Sequence, residues 1–253
     1  MFYQDPNPAG KPAVLLLHGL GSDSTSWGFQ IPALLSHGIR PIIPDIPGFG
    51  KSPHNKKNWS IPGVAAEIAG LIKGLLVTPL PLVGISMGGT IALQMALDYP
   101  GFVERLVLVS TFASLRPTRL SDLSYLAVRF IRANLLGIQS QAEMVAWRIF
   151  PEEDQEPMRN ILINSILQSD PAVYRAAMRS LGLFDVKKRL AQIKIPTLVI
   201  TGTLDSTVPP PVQAVLTQKI PGAKQVIIPG GRHAVIVDQP EQFNQALLDF
   251  LIG

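Results

Sequence analysis

Short apolar runs alternate with longer stretches of helical periodicity along the first 110 residues of the chain. The apolar runs Val14–Leu17, Ile39–Pro44, Leu80–Gly84 and Val103–Val109 each predict a strand. Strands that alternate with helices are typical of a parallel sheet whose two faces are both covered. The intervening helices are predicted at Ser26–His37, Ile61–Leu76 and Gly88–Asp98.

The alternation stops after the fourth predicted strand. From Phe112 to Asp185 the pattern is helical, and strands resume only at Thr197–Thr201 and Gln225–Ile228, before a last helix at Pro240–Leu251. We therefore expect an α/β core domain, residues 1–111 and 186–253, that is interrupted by a helical insertion, residues 112–185. The helices predicted inside the insertion are Ser121–Leu136, Gln141–Phe150, Pro157–Gln168 and Pro171–Leu181.

Composition narrows the class of protein. The chain has 253 residues, of which 47% are hydrophobic and 16% are charged, and this argues against disorder. No apolar run is long enough to cross a bilayer, and the first eleven residues lack the basic and apolar regions of a signal peptide. A soluble, cytoplasmic protein is therefore expected. The absence of cysteine excludes disulfides, zinc–thiolate sites and a cysteine nucleophile.

Charge gives no reason to expect a macromolecular partner. The net charge is +4, and the densest basic run, Lys51–Lys57, has only Trp59 as a nearby aromatic residue. A nucleic-acid groove would need a wider basic stripe with interleaved aromatics, so we interpret this run as a solvated loop. We expect a small-molecule substrate, no nucleic acid, no membrane, no metal and no cofactor. A monomer and a homodimer both remain open.

The segment Gly84–Gly88 has the pattern G-x-S-x-G. In this motif a serine lies on a sharp turn, and the flanking glycines let the preceding strand and the following helix approach closely. The motif has the strand before it and the helix after it that this role requires. Ser86 is therefore the candidate nucleophile.

A serine nucleophile needs a base, and the chain offers four histidines. His37 and His54 are expected on the surface, whereas His18 and His233 each follow the end of a predicted strand, where sites gather in a parallel sheet. We choose His233 because it follows the last strand, beside two glycines. Asp205, just past the penultimate strand, is the candidate acid that orients it.

These residues resemble the α/β-hydrolase superfamily, and most of all its small cap-bearing serine esterases and lactonases. The triad order Ser86, Asp205, His233 matches, His18–Gly21 resembles the family's oxyanion-hole turn, and Asp45–Ser52 resembles its D-x-x-G-x-G-x-S loop. The resemblance implies an oxyanion hole formed by the N–H groups of Leu20 and Met87, and structural roles for His18 and Asp45.

The same resemblance makes the insertion a helical cap over the substrate. It also leads us to expect a mostly parallel sheet of about seven strands with helices on both faces, because too few residues precede Val14 for the family's usual opening hairpin. Trp27, Phe112 and Trp147 are the expected pocket residues. Other apolar candidates in the cap are Leu126, Phe130, Met144 and Phe150.

Ser86 separates this chain from dehalogenases and epoxide hydrolases of similar fold, which resemble it but use aspartate as nucleophile. We expect a carboxylesterase that cleaves small uncharged esters through an acyl-enzyme intermediate. An enol-lactonase or perhydrolase of the same fold, or a non-catalytic ligand receptor, remains the alternative.

Overall fold

One sheet of seven strands forms the centre of the computed structural model, which describes residues 1–54, 59–115 and 137–253. In chain order the strands are β1 (Tyr3–Gln4), β2 (Ala13–Leu17), β3 (Arg40–Pro44), β4 (Leu80–Ile85), β5 (Val103–Val109), β6 (Thr197–Gly202) and β7 (Lys224–Ile228). They lie in the order β1-β3-β2-β4-β5-β6-β7, and all pairs are parallel except β1 with β3. The predicted mostly parallel sheet of about seven strands is confirmed, and its first strand is very short.

Helices pack on both faces of this sheet. Both faces are apolar, because successive residues of an apolar strand point to opposite sides. Leu15 and Leu17 belong to the apolar cluster on one face, whereas Val14 and Leu16 belong to the cluster on the other. The described α-helices are α1 (Ile31–Ser36), α2 (Ile61–Gly74), α3 (Met87–Asp98), α4 (Gly137–Ile149), α5 (Glu156–Gln168), α6 (Pro171–Leu183), α7 (Pro210–Lys219), α8 (Val235–Asp238) and α9 (Pro240–Ile252). None of them combines the length and hydrophobicity that a membrane span needs.

Two helical segments differ from the prediction. The single helix predicted at Ser26–His37 is a 3₁₀ turn at Ser24–Trp27 followed by α1, with Gly28 at the end of the turn. The Asp23 carboxylate accepts a hydrogen bond from the Thr25 N–H and so starts the turn early. Helix α7 was not predicted, because its proline-rich start and polar residues mask the apolar periodicity.

The stretch between β5 and β6 carries α4, α5 and α6, in agreement with the predicted helical character. Its two ends meet, since the Val186 N–H donates to the Ala113 carbonyl at 3.0 Å and Ser114 forms a bridge with Asp185. The predicted helix Ser121–Leu136 lies outside the described residues. The division into a core and a cap at residues 112 and 185 stays a prediction.

Candidate active site

Ser86 occupies a sharp turn between β4 and α3. Its φ of 53° and ψ of −113° are rare for a residue with a side chain, and such strain persists only where neighbours hold it. The Ser86 N–H donates to the Val109 carbonyl at 2.9 Å, and the Ser86 carbonyl accepts from the Thr111 hydroxyl at 2.7 Å. Gly88 permits this close packing, because a Cβ there would lie 2.2 Å from the Leu17 carbonyl oxygen.

His233 and Asp205 reach Ser86 from the loops that follow β7 and β6. Ser86 Oγ lies 3.0 Å from His233 Nε2, and His233 Nδ1 lies 3.1 and 3.0 Å from the two carboxylate oxygens of Asp205. Both partners of the serine are buried. Because Nδ1 faces a carboxylate, the ring proton belongs on that nitrogen, and Nε2 is left to accept the serine proton. His233 is therefore within hydrogen-bond distance of both Ser86 and Asp205, the other two residues chosen from the sequence.

The Asp205 carboxylate is held by more than the histidine. Its Oδ1 accepts from the backbone N–H groups of Thr207 and Val208, each at 2.9 Å, and its Oδ2 accepts from Gln213 Nε2 at 3.0 Å. Gln213 is fully buried, donates also to the Val208 carbonyl at 2.7 Å, and accepts from the Thr201 hydroxyl at 2.9 Å. Gln213 is not among the residues predicted from the sequence, since it lies on the unpredicted helix α7.

The loop that carries His233 packs tightly against the end of β6. A Cβ on Gly202 would lie 2.3 Å from the Gly231 carbonyl oxygen, so glycine is required at this contact. Behind the histidine, the Asp238 carboxylate accepts from the Arg232 N–H at 3.1 Å. Burial disfavours the charged form of this carboxylate and raises the pKa of Asp238 to about 6.

His18 connects the first turn of the site to the loop after β3. Its Nδ1 lies 2.8 Å from the Gly19 carbonyl and donates to it, while Nε2 accepts from the Ile46 N–H at 2.9 Å. Complete burial lowers the pKa of His18, and this favours the neutral ring that both bonds need. Asp45 braces the same loop, because its carboxylate accepts from the backbone N–H groups of Ser24 and Lys51.

The backbone amides of Leu20 and Met87 are the expected oxyanion hole. Met87 is the first residue of α3, where the helix dipole favours negative charge. Gly19 brings the other turn close, since a Cβ there would lie 3.7 Å from Ser86 Cβ. Neither amide donates to an acceptor in the part of the chain that the structure describes. Both groups are therefore available to a ligand, and their role as the oxyanion hole stays a prediction.

Comparison with known proteins identifies the family. A family model described as the alpha/beta hydrolase fold matches residues 12–240, which is most of the chain. The chain belongs to the α/β-hydrolase fold family. The family resemblance found in the sequence is thereby confirmed.

Relatives of this α/β hydrolase cover nearly its whole length. Pyrrolizixenacetamide deacetylase of Xenorhabdus hominickii is 29% identical over 245 residues, with 96% of this chain and 91% of that protein covered. The pimeloyl-acyl carrier protein methyl ester esterase of Aeromonas hydrophila is 28% identical, with 95% of each chain covered. The solved enol-lactonase of Burkholderia xenovorans LB400 superposes with a TM-score of 0.90 at 25% identity, with 100% of this chain and 96% of that chain covered.

The α/β hydrolase has a cavity of about 1370 Å³ beside the triad. Ser86 and His233 lie in its wall, together with residues of α4, α5, α6 and α7. Phe112 lines this cavity and packs edge-to-face on Phe184, with ring centroids 6.4 Å apart. Most of the lining is apolar, which suits the burial of an aliphatic chain. Further apolar wall residues are Leu20, Val145, Ile149, Phe150, Met158, Leu162 and Val212.

Two of the expected pocket residues lie elsewhere. Trp27 is fully buried in the core on the opposite side of the 3₁₀ turn, where its ring packs against Phe243. Trp147 is 54% exposed on α4, and the Arg159 guanidinium lies 4.0 Å from its ring centroid. Neither contributes to the cavity wall, and neither does the candidate Met144. Leu126 and Phe130 lie outside the described residues.

The chemistry available here is that of an activated serine. Within residues 1–54, 59–115 and 137–253, no group of three or more His, Asp or Glu side chains is arranged to bind a metal ion. The site offers a nucleophile, a base with an oriented tautomer and two unused amide donors beside an apolar cavity. This set of groups suits acyl transfer.

Proposed function

We propose that this α/β hydrolase cleaves carboxylic esters of small molecules through an acyl-enzyme intermediate on Ser86. In this proposal His233 is the general base and Asp205 orients it. The observation that carries the proposal is the 3.0 Å separation of Ser86 Oγ and His233 Nε2 in the wall of the cavity. The names of the relatives, an ester esterase, a deacetylase and an enol-lactonase, support a carboxylic ester hydrolase.

The proposed reaction has two stages. Ser86 Oγ attacks the ester carbonyl carbon while His233 Nε2 takes its proton, and the resulting oxyanion accepts hydrogen bonds from the N–H groups of Leu20 and Met87. The C–O bond to the alcohol then breaks, and the alcohol leaves with the proton from His233. A water molecule, deprotonated by the same nitrogen, attacks the acyl-enzyme and releases the acid.

We also propose that residues 112–185 act as the cap that shapes specificity. Helices α4, α5 and α6 supply about a third of the residues in the described wall of the cavity. Both ends of the stretch leave the core at one place, beside Ser114 and Asp185. A change in these helices would therefore alter which ester fits without moving the triad.

A lactone is the second candidate substrate. The similarity to the enol-lactonase of Burkholderia xenovorans LB400 favours it. A lactone is a cyclic ester, so the same attack by Ser86 would open its ring and leave both products in one molecule. The test is the hydrolysis of an enol-lactone, monitored through the loss of its ultraviolet absorbance. An enzyme restricted to open-chain esters would leave this absorbance unchanged.

The test of the proposed function is Ser86→Ala with p-nitrophenyl butyrate as substrate. The substitution keeps the Cβ and adds no backbone strain, so the variant should melt with the parent. We expect kcat to fall by about 10⁶, the loss seen when a comparable triad loses its serine.

The matched control is Ser36→Ala, at an exposed serine on α1. It should keep the parent's kcat. If Ser86→Ala keeps a tenth of the parent's activity while remaining folded, Ser86 is not the nucleophile. An inactive parent that still binds the ester would favour the ligand receptor.

A further inference from the structure

Four cationic side chains line the cavity, and its described wall contains no acidic residue. All four lie in the stretch between β5 and β6, and they are Arg148, Arg175, Arg179 and Lys187. The sequence alone leads us to expect small uncharged esters. The wall instead combines a large apolar area with a single sign of charge.

Arg175 and Arg179 differ from the other arginines that the structure describes. Of the eight arginines in the described part of the chain, six donate to a carboxylate or to a backbone carbonyl, and these two do neither. Their side chains form no ion pair and no hydrogen bond with the described residues. The six that are satisfied are Arg40, Arg105, Arg148, Arg159, Arg189 and Arg232.

The two arginines point to the same side of α6. They are four residues apart, and Met178 and Gly182 on the same helical face also line the cavity. The start of this helix packs on the oxyanion turn, since a Cβ on Gly21 would lie 3.0 Å from the Tyr174 ring. The cationic pair is thus carried by the wall element that begins next to the reacting centre.

An anionic ligand would supply the hydrogen-bond and ion-pair partners that these two arginines lack among the described residues. Two like charges one helical turn apart repel each other. An apolar cleft lined by charges of one sign focuses their electrostatic field and so attracts a ligand of the opposite charge. Arginine binds carboxylate and phosphate oxygens through paired N–H donors. A ligand that places an anion beside α6 and an ester carbonyl at Ser86 would satisfy both parts of the cavity.

We propose that the substrate is an ester that carries an anionic group, a carboxylate or a phosphate, and that Arg175 and Arg179 bind this group. The inference rests on the proposed ester hydrolysis and adds the substrate class to it. Lys187 strengthens the same field from the opposite end of α6. The apolar wall residues contact the carbon chain between the anion and the ester.

The test compares esters of similar length and different charge. Monomethyl adipate carries a carboxylate at the acyl end, methyl 6-(phosphonooxy)hexanoate carries a phosphate there, and methyl heptanoate is uncharged. An ester of butyric acid with 4-hydroxybutanoate places the carboxylate on the alcohol side. We expect kcat/KM at least tenfold higher for one or more of the anionic esters than for methyl heptanoate, and the arm that responds identifies the anion and its side.

The decisive variant is Arg175→Gln with Arg179→Gln, which removes both charges and keeps the side chains long. It should lower kcat/KM for the preferred anionic ester by tenfold or more, mainly through KM, and leave methyl heptanoate within threefold. The variant with lysine at both positions should recover part of the preference, because it restores charge without the paired donors. Lys188→Gln removes an exposed charge outside the cavity and is the matched control.

The outcomes separate the two proposals. If the parent hydrolyses methyl heptanoate at least as well as every anionic ester, the substrate class is wrong and the esterase stands. The same holds if the double glutamine variant changes all esters equally. If the parent hydrolyses none of the esters and no p-nitrophenyl butyrate, the proposed function itself fails, and the anionic substrate fails with it.

Discussion

Gln213→Leu tests how the acid of the triad is held. Leucine has a similar volume, but it removes all three hydrogen bonds of the buried amide, those to Asp205, the Val208 carbonyl and the Thr201 hydroxyl. Each buried polar group left without its partner costs about 1–3 kcal/mol. Burial of the apolar leucine side chain offsets part of this total cost. We expect a loss of about 3 kcal/mol in the free energy of unfolding.

For a chain of this length a loss of that size lowers Tm by roughly 6–12 °C. Asp205 keeps two backbone donors, so kcat should fall about tenfold rather than vanish, and KM should stay unchanged because Gln213 touches no substrate. Calorimetry gives Tm. The kcat of both proteins is measured at least about 20 °C below the parent's Tm, a margin roughly twice the expected fall in Tm, so that the variant stays folded during the assay.

The control is Gln242→Leu on the exposed side of α9, where the lost hydrogen bond is solvated. It should change the free energy of unfolding by less than about 0.5 kcal/mol. A Gln213→Leu protein with the parent's Tm and kcat would refute the reasoning, because the buried amide would then support neither the fold nor Asp205.

Two further predictions concern Trp147 and Asp238. Trp147→Ala should leave the kcat/KM ratio between butyrate and octanoate esters unchanged, because Trp147 does not line the cavity. It should lower the free energy of unfolding by about 0.5–1 kcal/mol through the lost contact with Arg159. A shifted ratio would mean that Trp147 contacts the substrate. Asp238→Asn tests a carboxylate whose pKa burial raises to about 6. Because the folded pKa lies above the unfolded one, the parent loses stability as pH rises from about 4 through about 6, and the neutral asparagine does not. Urea unfolding should therefore show the variant more stable at pH 8, by roughly 1 kcal/mol after allowance for partial exposure, and equal to the parent below pH 4; an equal difference at both values would contradict this.

The sequence predicted the sheet and pointed to the three candidate triad residues, because both depend on strand ends. Each of Ser86, Asp205 and His233 follows an apolar run, and such runs locate strands to within a residue or two here. Gln213 could not be found in the same way. A glutamine after three prolines suggests a surface loop, and only the packing of α7 against β6 shows that it reaches Asp205.

The expected placement of Trp27 and Trp147 in the pocket differs from the structure for another reason. Proximity in sequence to the oxyanion turn does not determine on which side of a sheet a loop side chain falls, and the 3₁₀ turn sends Trp27 into the core. On α4 the cavity side is taken by Val145 and Ile149, so Trp147 lies outward. Helical periodicity locates faces, but it does not say which apolar face looks into a cavity.

The position of the insertion divides the triad between two halves of the chain. Ser86 precedes the helices between β5 and β6, and Asp205 and His233 follow them. A backbone cut between α5 and α6 would give one fragment with the nucleophile and another with the acid and base. The fragments would regain the full constellation only through the pairing of β5 with β6, which joins residues about ninety positions apart. Esterase activity in this protein would therefore report reassembly of the complete sheet, as in a split-enzyme complementation assay.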